Sequence, residues 1–353
     1  GELEVVELVE AQYGELVLLT RRASGQLGLV GVSSRGQPRW ATTPGLPCSP
    51  CTPDDIVVHP SGDIIVSATS GLGTVLNKAL LLRYDPDAGL VRWVLTVPLD
   101  PGPNAVPQSG GLALLGDEHI LNLRIDGSND GEFIRLLDLD ETGELQRSRI
   151  ILAGLGTAGQ WPPLLVATPE GAVVAAAAFR QEDQPGIQAA THRMLPPNYV
   201  TISAVDLPVP LDDLALDGTG RRIELARSND QQTITLLITS RSASELARWD
   251  ISLPFISTSS TRATLAVGPD DDVYVGVRTS PQTSASDPFA IQLEITRLSS
   301  TGQLRWQVAE PLDMMATNDP LELLIDEDEG IVVATVVEGR MLVRRYEQAC
   351  GCR

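Results

Sequence analysis

Short runs of about four to eight residues, in which apolar and polar positions alternate, fill this chain from end to end. Each run is cut off by Gly, Asp, Asn or Pro. The clearest stretch reads Thr264-Leu-Ala-Val267, a Gly268-Pro-Asp-Asp-Asp272 turn, then Val273-Tyr-Val-Gly-Val277. A polar loop from Thr279 to Pro288 leads to Ile291-Gln-Leu-Glu-Ile-Thr-Arg-Leu298, a Ser-Ser-Thr-Gly turn, and Gln303-Leu-Arg-Trp-Gln-Val308. Period-two patterning predicts four antiparallel strands, A to D. The same order fits Asp55-Ile-Val-Val58, Ile64-Ile-Val-Ser67, Ala79-Leu-Leu-Leu-Arg-Tyr84 and Val91-Arg-Trp-Val-Leu95. Helical periodicity is absent throughout.

The four-strand unit repeats. Arg-Trp recurs at Arg39-Trp40, Arg92-Trp93, Arg248-Trp249 and Arg305-Trp306, with the tryptophans 53, 156 and 57 residues apart. Three copies follow a glycine at a fixed offset, Gly36, Gly89 and Gly302; Glu245 takes that place in the fourth, and Gly143-Glu-Leu-Gln-Arg147 keeps the glycine without the tryptophan. A period of about fifty residues signals a propeller or solenoid. Seven units follow end to end, approximately 1–46, 47–105, 106–157, 158–210, 211–258, 259–313 and 314–353. The expectation is a single all-β domain, a seven-bladed β-propeller of four-stranded antiparallel blades.

Trp40, Trp93, Trp249 and Trp306 read as structural anchors of strand D against the next blade. Two units depart from the pattern. In unit four, Arg180 to Asn198 reads as an insertion before the strand Tyr199-Val-Thr-Ile-Ser203, and Leu207-Pro-Val-Pro-Leu211 leaves strand D abbreviated or missing. In unit seven, Arg345-Tyr-Glu-Gln-Ala-Cys-Gly351 superposes on Arg83-Tyr-Asp-Pro-Asp-Ala-Gly89, and no Gly-x-x-Arg-Trp strand follows. The last blade is therefore expected to lack its outer strand and to expose Met341-Leu-Val-Arg-Arg345 as an edge, which invites a strand from another chain.

Composition narrows the function. A formal net charge of −20 repels phosphate backbones, so no nucleic-acid partner is expected. Lys78 is the only lysine, which excludes Schiff-base chemistry elsewhere. No stretch of about twenty apolar residues spans a bilayer as a helix. The abrupt start within a strand suggests a mature or trimmed product.

The turn followed by Gly-x-x-Arg-Trp and a β run, as in Tyr84-Asp-Pro-Asp-Ala-Gly-Leu-Val-Arg-Trp93 and Arg297-Leu-Ser-Ser-Thr-Gly-Gln-Leu-Arg-Trp306, resembles the repeats of the PQQ-like propellers. These include the quinoprotein alcohol dehydrogenases and the lipoprotein subunit of the outer-membrane β-barrel assembly machine. Asp272-Val-Tyr-Val-Gly-Val-Arg-Thr279 with Ile291 to Trp306 is also similar to secreted bacterial β-propeller repeats. The enzymes' adjacent cysteine pair and calcium-plus-aspartate set have no counterpart, so the resemblance favours the non-enzymatic branch. It implies an extracytoplasmic protein, secreted, periplasmic or on the outer surface of a bacterium, that binds another protein or further copies of itself. The alternative is a propeller enzyme acting on a small molecule or carbohydrate at the mouth of the central channel.

Binding concentrates on long loops held by a rigid scaffold. The long connections, 44–53, 97–109, 180–198 and 279–288, all fall on the face carrying the B–C and D–A loops. His192, Arg193 and Met194, with Trp161 on an adjoining loop, are the candidate binding residues there. Asp126, Ser128, Asp130 and Glu132 carry part of the spacing of a calcium loop, although Leu137 stands where its bidentate Glu would be. Calcium is the one cofactor considered. Cys48-Ser-Pro-Cys51 is expected to form a local disulfide, since zinc would need Cys350 and Cys352 from the opposite face. Cys350 and Cys352 either pair with each other or bond to a partner. His59 and His119 read as turn residues, and no catalytic residue is assigned.

Overall fold

Alternating strands of this kind bury one set of side chains on each face only if sheets pack against both faces, and a closed ring of sheets provides that. The computed structural model of the chain is such a ring: an all-β, seven-bladed propeller. It describes residues 3–11, 14–22, 24–33, 36–44, 51–70, 78–98, 108–116, 119–128, 131–157, 163–168, 171–180, 188–207, 209–228, 233–240, 245–252, 263–279, 291–312, 321–326, 329–337 and 340–346.

Blade one is β1 (Leu3–Glu10), β2 (Leu16–Arg22), β3 (Leu27–Val32) and β4 (Pro38–Thr42). Blade two is β5 (Cys51–Val58), β6 (Ile64–Ser70), β7 (Lys78–Asp85) and β8 (Leu90–Pro98). Blade three is β9 (Gln108–Leu115), β10 (His119–Ser128), β11 (Gly131–Asp140) and β12 (Leu145–Thr157). Blade four is β13 (Leu164–Ala167), β14 (Val173–Arg180), β15 (Gln188–Leu195) and β16 (Val200–Leu207). Blade five is β17 (Leu211–Leu216), β18 (Arg222–Arg227), β19 (Thr233–Thr239) and β20 (Glu245–Ser252). Blade six is β21 (Ala263–Val267), β22 (Val273–Thr279), β23 (Ile291–Leu298) and β24 (Leu304–Leu312). Blade seven, among the described residues, has three strands: β25 (Leu321–Ile325), β26 (Ile331–Val337) and β27 (Arg340–Tyr346). Every blade is an antiparallel meander, and Gly156 and Thr157 at the end of β12 also pair with β14.

Blade four corrects the sequence reading. The segment taken as an insertion contains strand C itself, β15, paired to β14 from Val173↔Met194 to Phe179↔Gln188. Val200 to Ser203 then belong to the outer strand β16, with Tyr199 in the turn before it, so blade four is complete. The reason lies in composition. Gln188-Ala-Ala-Thr-His-Arg-Met-Leu195 lacks the Val/Ile/Leu run of the other inner strands, and prolines flank it on both sides.

The core consists of the faces between neighbouring blades. Val17, Leu19, Leu27 and Leu29 of blade one pack on Ile56, Ile64, Val66, Leu80 and Leu82 of blade two. Ile223, Leu225 and Leu236 pack likewise on Leu265, Val273 and Val275 between blades five and six. Closure uses the same contact: Val5, Leu8, Leu16, Leu18 and Val32 of blade one meet Val332 and Ala334 of blade seven.

The outer-strand tryptophans fasten these faces at the rim. Trp40 packs against the blade-two cluster, 6.2 Å from the Tyr84 ring. The Trp93 Nε1–H donates to the Glu141 carbonyl of blade three at 3.1 Å, and its ring covers Gly143, whose φ of +82° a side chain would strain. Trp249 lies against the cluster between blades five and six, and Trp306 against that between six and seven. Trp93→Ala is expected to destabilise the protein by about 3 kcal/mol. Leu90→Ala, at a side chain 63% exposed one strand position from the turn, changes it by less than about 0.5 kcal/mol. Denaturant melts of the two variants beside the parent measure the difference.

Candidate functional site

The inner strands converge on a central cavity of about 570 Å³ lined by residues of all seven blades. Strands packed this closely at a propeller axis leave most positions to small or aliphatic side chains. Six acids break that rule: Glu7 of blade one, Asp54 and Asp55 of blade two, Asp212 and Asp213 of blade five and Glu322 of blade seven, with Arg21 of blade one on the same wall. Local geometry puts five of the acids there. In β1, β5 and β17 the register slips between Val5 and Glu7, between Pro53 and Asp55, and between Leu211 and Asp213. Such a bulge turns two successive side chains away from the regular alternation.

In blades two and five the two bulge residues are both Asp and divide the work. The first binds within its own blade: Asp54 accepts from the Thr69 hydroxyl at 2.8 Å, and Asp212 takes the Arg227 guanidinium. The second reaches the next blade. Asp55 accepts from the backbone N–H of Ile56 at 2.7 Å and from that of Leu112 in blade three. Asp213 accepts from the N–H of Leu214 at 2.7 Å, and from the Leu265 N–H at 2.8 Å and the Thr264 hydroxyl at 3.0 Å in blade six. Blade three has glycines here instead, because blade four comes too close: a Cβ on Gly110 would stand 2.2 Å from the Pro163 ring.

Burial dominates the titration of this ring. It pushes Asp55 up to about 7 against its two backbone hydrogen bonds, and Asp213 up to about 6. Glu7 is raised well above the usual carboxylate range by burial and then by the negative charges of Glu322, Asp55 and Asp213. A carboxyl at about 7 in a cavity is a proton donor or acceptor near neutrality.

The blade-seven edge is the second distinctive feature. Strand β27 occupies the place of β7, with Met341 matching Ala79 and Tyr346 matching Tyr84 in the pairing to the preceding strand. In blade two, Ala79, Leu80, Leu81 and Leu82 are at most 2% exposed. In blade seven, Met341 to Tyr346 are all only half-buried. On the blade-six side β27 is latched, since Tyr346 donates to Glu310 of β24 at 2.7 Å and Arg344 pairs with the same carboxylate.

The residues singled out from the sequence scatter. His192, Arg193 and Met194 lie in β15 rather than on a loop. Met194 is buried between blades three and four, and Arg193 is buried with its Nη1 donating to the Gly220 carbonyl of blade five at 2.8 Å. Burial lowers the His192 pKa, and Asp206 opposes it. Trp161 and the loops at 97–109 and 279–288 fall wholly or mostly outside the described residues. Asp126 is buried with its Oδ2 held by Arg124 at 3.0 Å and Arg135 at 2.8 Å. The side chains of Ser128, Asp130 and Glu132 are outside the description, and among the described residues no group of three or more His, Cys, Asp or Glu is arranged to hold a metal. Cys51 is buried at the start of β5, while Cys48, Cys350 and Cys352 lie outside the described residues. His59 sits buried in an A–B turn against Ser61, and His119 starts β10 facing Asp138 at 2.7 Å. The channel acids escaped sequence reading, although the Asp-Asp pair recurring at the start of strand A in units two and five was the available signal.

No protein-family model matches the sequence, and no curated protein matches it. Solved structures do. An arginine-to-alanine mutant of AofleA from Arthrobotrys oligospora is similar with a TM-score of 0.56 at 10% identity, over 97% of this chain and 90% of its own. The Dos1 propeller gives 0.54 at 9% identity, over 96% and 91%. PorZ, an essential bacterial surface component of the type-IX secretion system of Porphyromonas gingivalis, gives 0.52 at 10% identity, over 96% of this chain and 46% of PorZ. What is shared is the fold.

The channel acids predict a pH profile. A carboxyl raised in the folded state binds more protons folded than unfolded, so its contribution is full below the unfolded pKa of about 4 and is lost as pH rises through the folded value. Glu7, Asp55 and Asp213 therefore make the propeller less stable between pH 5 and 8 as pH rises. The Asp55→Asn, Asp213→Asn double variant is expected to flatten that slope. Thermal midpoints taken across the range would refute this if the parent were flat or rose towards pH 8.

Proposed function

We propose that this chain is an extracytoplasmic protein-binding or assembly scaffold, with its binding edge on blade seven. The observation that carries the reading is β27, half-exposed at the edge of a blade that has three strands among the described residues. Met341, Leu342, Val343 and Tyr346 match residues that a fourth strand covers in blade two. An unpaired edge flanked by fixed sheet is a template for β-augmentation. The rigidity of the ring, fastened at the rim by tryptophans and near the axis by aspartates, supports a scaffold over a moving part.

Location outside the cytoplasm is supported by the resemblance of the Gly-x-x-Arg-Trp repeats to exported PQQ-like propellers. The likeness to PorZ, itself a bacterial surface component, points the same way. A Cys48–Cys51 disulfide would fit the same compartment. Among the described residues no helix is long and apolar enough to cross a membrane.

A second reading has one specific observation in its favour. The cavity with Asp55 at about 7 and Asp213 at about 6 is where a small polar ligand or carbohydrate would meet carboxyls able to exchange protons. In the scaffold reading these acids serve as blade-to-blade fasteners.

A photoreactive residue placed at Leu342 in the producing cell distinguishes edge binding from general stickiness. The scaffold reading expects one discrete adduct from that position and none from Val200, an exposed apolar residue of β16. Equal adducts from both positions, or none from Leu342, would contradict it.

A further inference from the structure

The face between blades four and five is built unlike the one between blades one and two. Blade one offers Val17, Leu19, Leu27 and Leu29 to Ile64 and Val66 of blade two. Counted from the A–B turn and the strand pairing, blade four offers Val174, Ala176, Ala189 and Thr191 in those places. Blade five answers with Arg222 and Glu224. Three leucines have become two alanines and a threonine, and two aliphatic side chains have become a guanidinium and a carboxyl. Both charged residues are sealed from solvent, Arg222 at 1% exposure and Glu224 at 0%. Leu214 and Leu237 flank Glu224 in its own sheet, and they share an apolar cluster with Val174, Ala176 and Ala189.

The pair is held in place but not satisfied. Arg222 Nε donates to the Thr239 hydroxyl at 3.2 Å, and Nη1 donates to the Thr191 hydroxyl of blade four at 2.9 Å. Among the described residues Nη2 has no acceptor, and neither oxygen of Glu224 has a donor. Arg222 Nε stands 3.8 Å from Glu224 Oε1, beyond hydrogen-bond reach. Thr191, the other polar group beside the carboxyl, has one O–H to give, and it lies 3.5 Å from the Val205 carbonyl. Burial raises the Glu224 pKa, with Arg222 and Thr191 opposing it. The want of a partner is the same in either form, since a carboxylate needs donors and a carboxylic acid needs an acceptor for its O–H.

Chemistry selects what can complete this site. A cation at the carboxyl would stand beside the Arg222 guanidinium, and an anion at Nη2 beside the Glu224 carboxyl; in a dry interior each meets repulsion. An apolar molecule would leave the same atoms unpaired. The occupant is therefore neutral, gives to Glu224, accepts from Nη2, and is small enough for a face sealed from solvent. Water meets all of these. Ala176 and Ala189, where blade one has leucines, leave room on the blade-four side.

We infer that at least one water molecule is bound between blades four and five, bridging the Glu224 carboxyl and Arg222 Nη2. It turns an ill-matched ion pair into a connected one. It also joins the two blades through polar contacts, alongside the bond from Arg193 Nη1 to the Gly220 carbonyl. The site lies on a blade face, apart from both the channel acids and the edge of β27, so it stands independently of the scaffold reading.

Diffraction from crystals of the intact chain, at a resolution that shows water, gives the direct test. A peak within about 3.2 Å of both a Glu224 oxygen and Arg222 Nη2 is expected. Direct contact of Nη2 with the carboxyl and no peak between them would overturn the inference, as would a peak with the short distances and oxygen shell of a metal ion. In solution, oxygen-17 relaxation dispersion counts long-lived internal waters in the parent and in the Arg222→Ile, Glu224→Val double variant, which carries the residues of blade two. The folded variant is expected to lose at least one such water per chain, and an equal count in both proteins would contradict the bridge. Should the double variant not fold, the diffraction result on the parent decides alone.

Discussion

Everything in this molecule depends on the packing of one blade face against the next. No blade could stand alone, since each is a small sheet with apolar side chains on both sides. The seventh interface, where Val332 and Ala334 meet Val5, Leu16 and Leu18, has to close or the other six would be left with two raw faces. It closes by side-chain packing, and among the described residues β25, β26 and β27 form a sheet with no strand from blade one. That mode of closure has a consequence for function. Blade seven is held in place through its faces, so its edge need not be used to hold the ring together.

Two sets of fasteners reinforce the faces, at different radii. At the rim, tryptophans of the outer strands lean onto the following blade, as Trp93 does on the Glu141–Gly143 turn. Near the axis, Asp55 and Asp213 reach from bulged inner strands to backbone N–H groups next door. The inner set is sensitive to pH because desolvation there raises the carboxyl pKa values, whereas the rim set is not. A propeller built this way is fastened at two radii, and only the fastening near the axis responds to pH.

Much of the fold was legible because the repeat is written several times over. Period-two runs, positive-φ glycines at Gly36, Gly143 and Gly302, and the Arg-Trp slot each report the same four-strand unit. Blade four was misread for a physical reason. Its strand C carries Thr191, His192 and Arg193 where blade two has Leu81, Leu82 and Arg83, so the apolar signal vanishes although the pairing is intact. Across that interface Arg222 and Glu224 are fully buried where blade two places Ile64 and Val66, and no periodicity reveals a buried ion pair. The channel acids were hidden differently. Asp-Asp before a strand looks like a solvated turn until a bulge turns both side chains inward.

The ring closes through blade faces, and among the described residues no strand pairs with the outer side of β27. Strand-resolved hydrogen–deuterium exchange on the free protein tests it directly. The account predicts that β25, β26 and β1 are as protected as the inner strands of other blades, while the open-side amides of β27 exchange at least about a hundredfold faster than those of β7 and β23. Exchange in β27 as slow as in β7 would mean that a strand already covers its outer side. Fast exchange running from β27 through β26 into β1 would mean that the ring does not close.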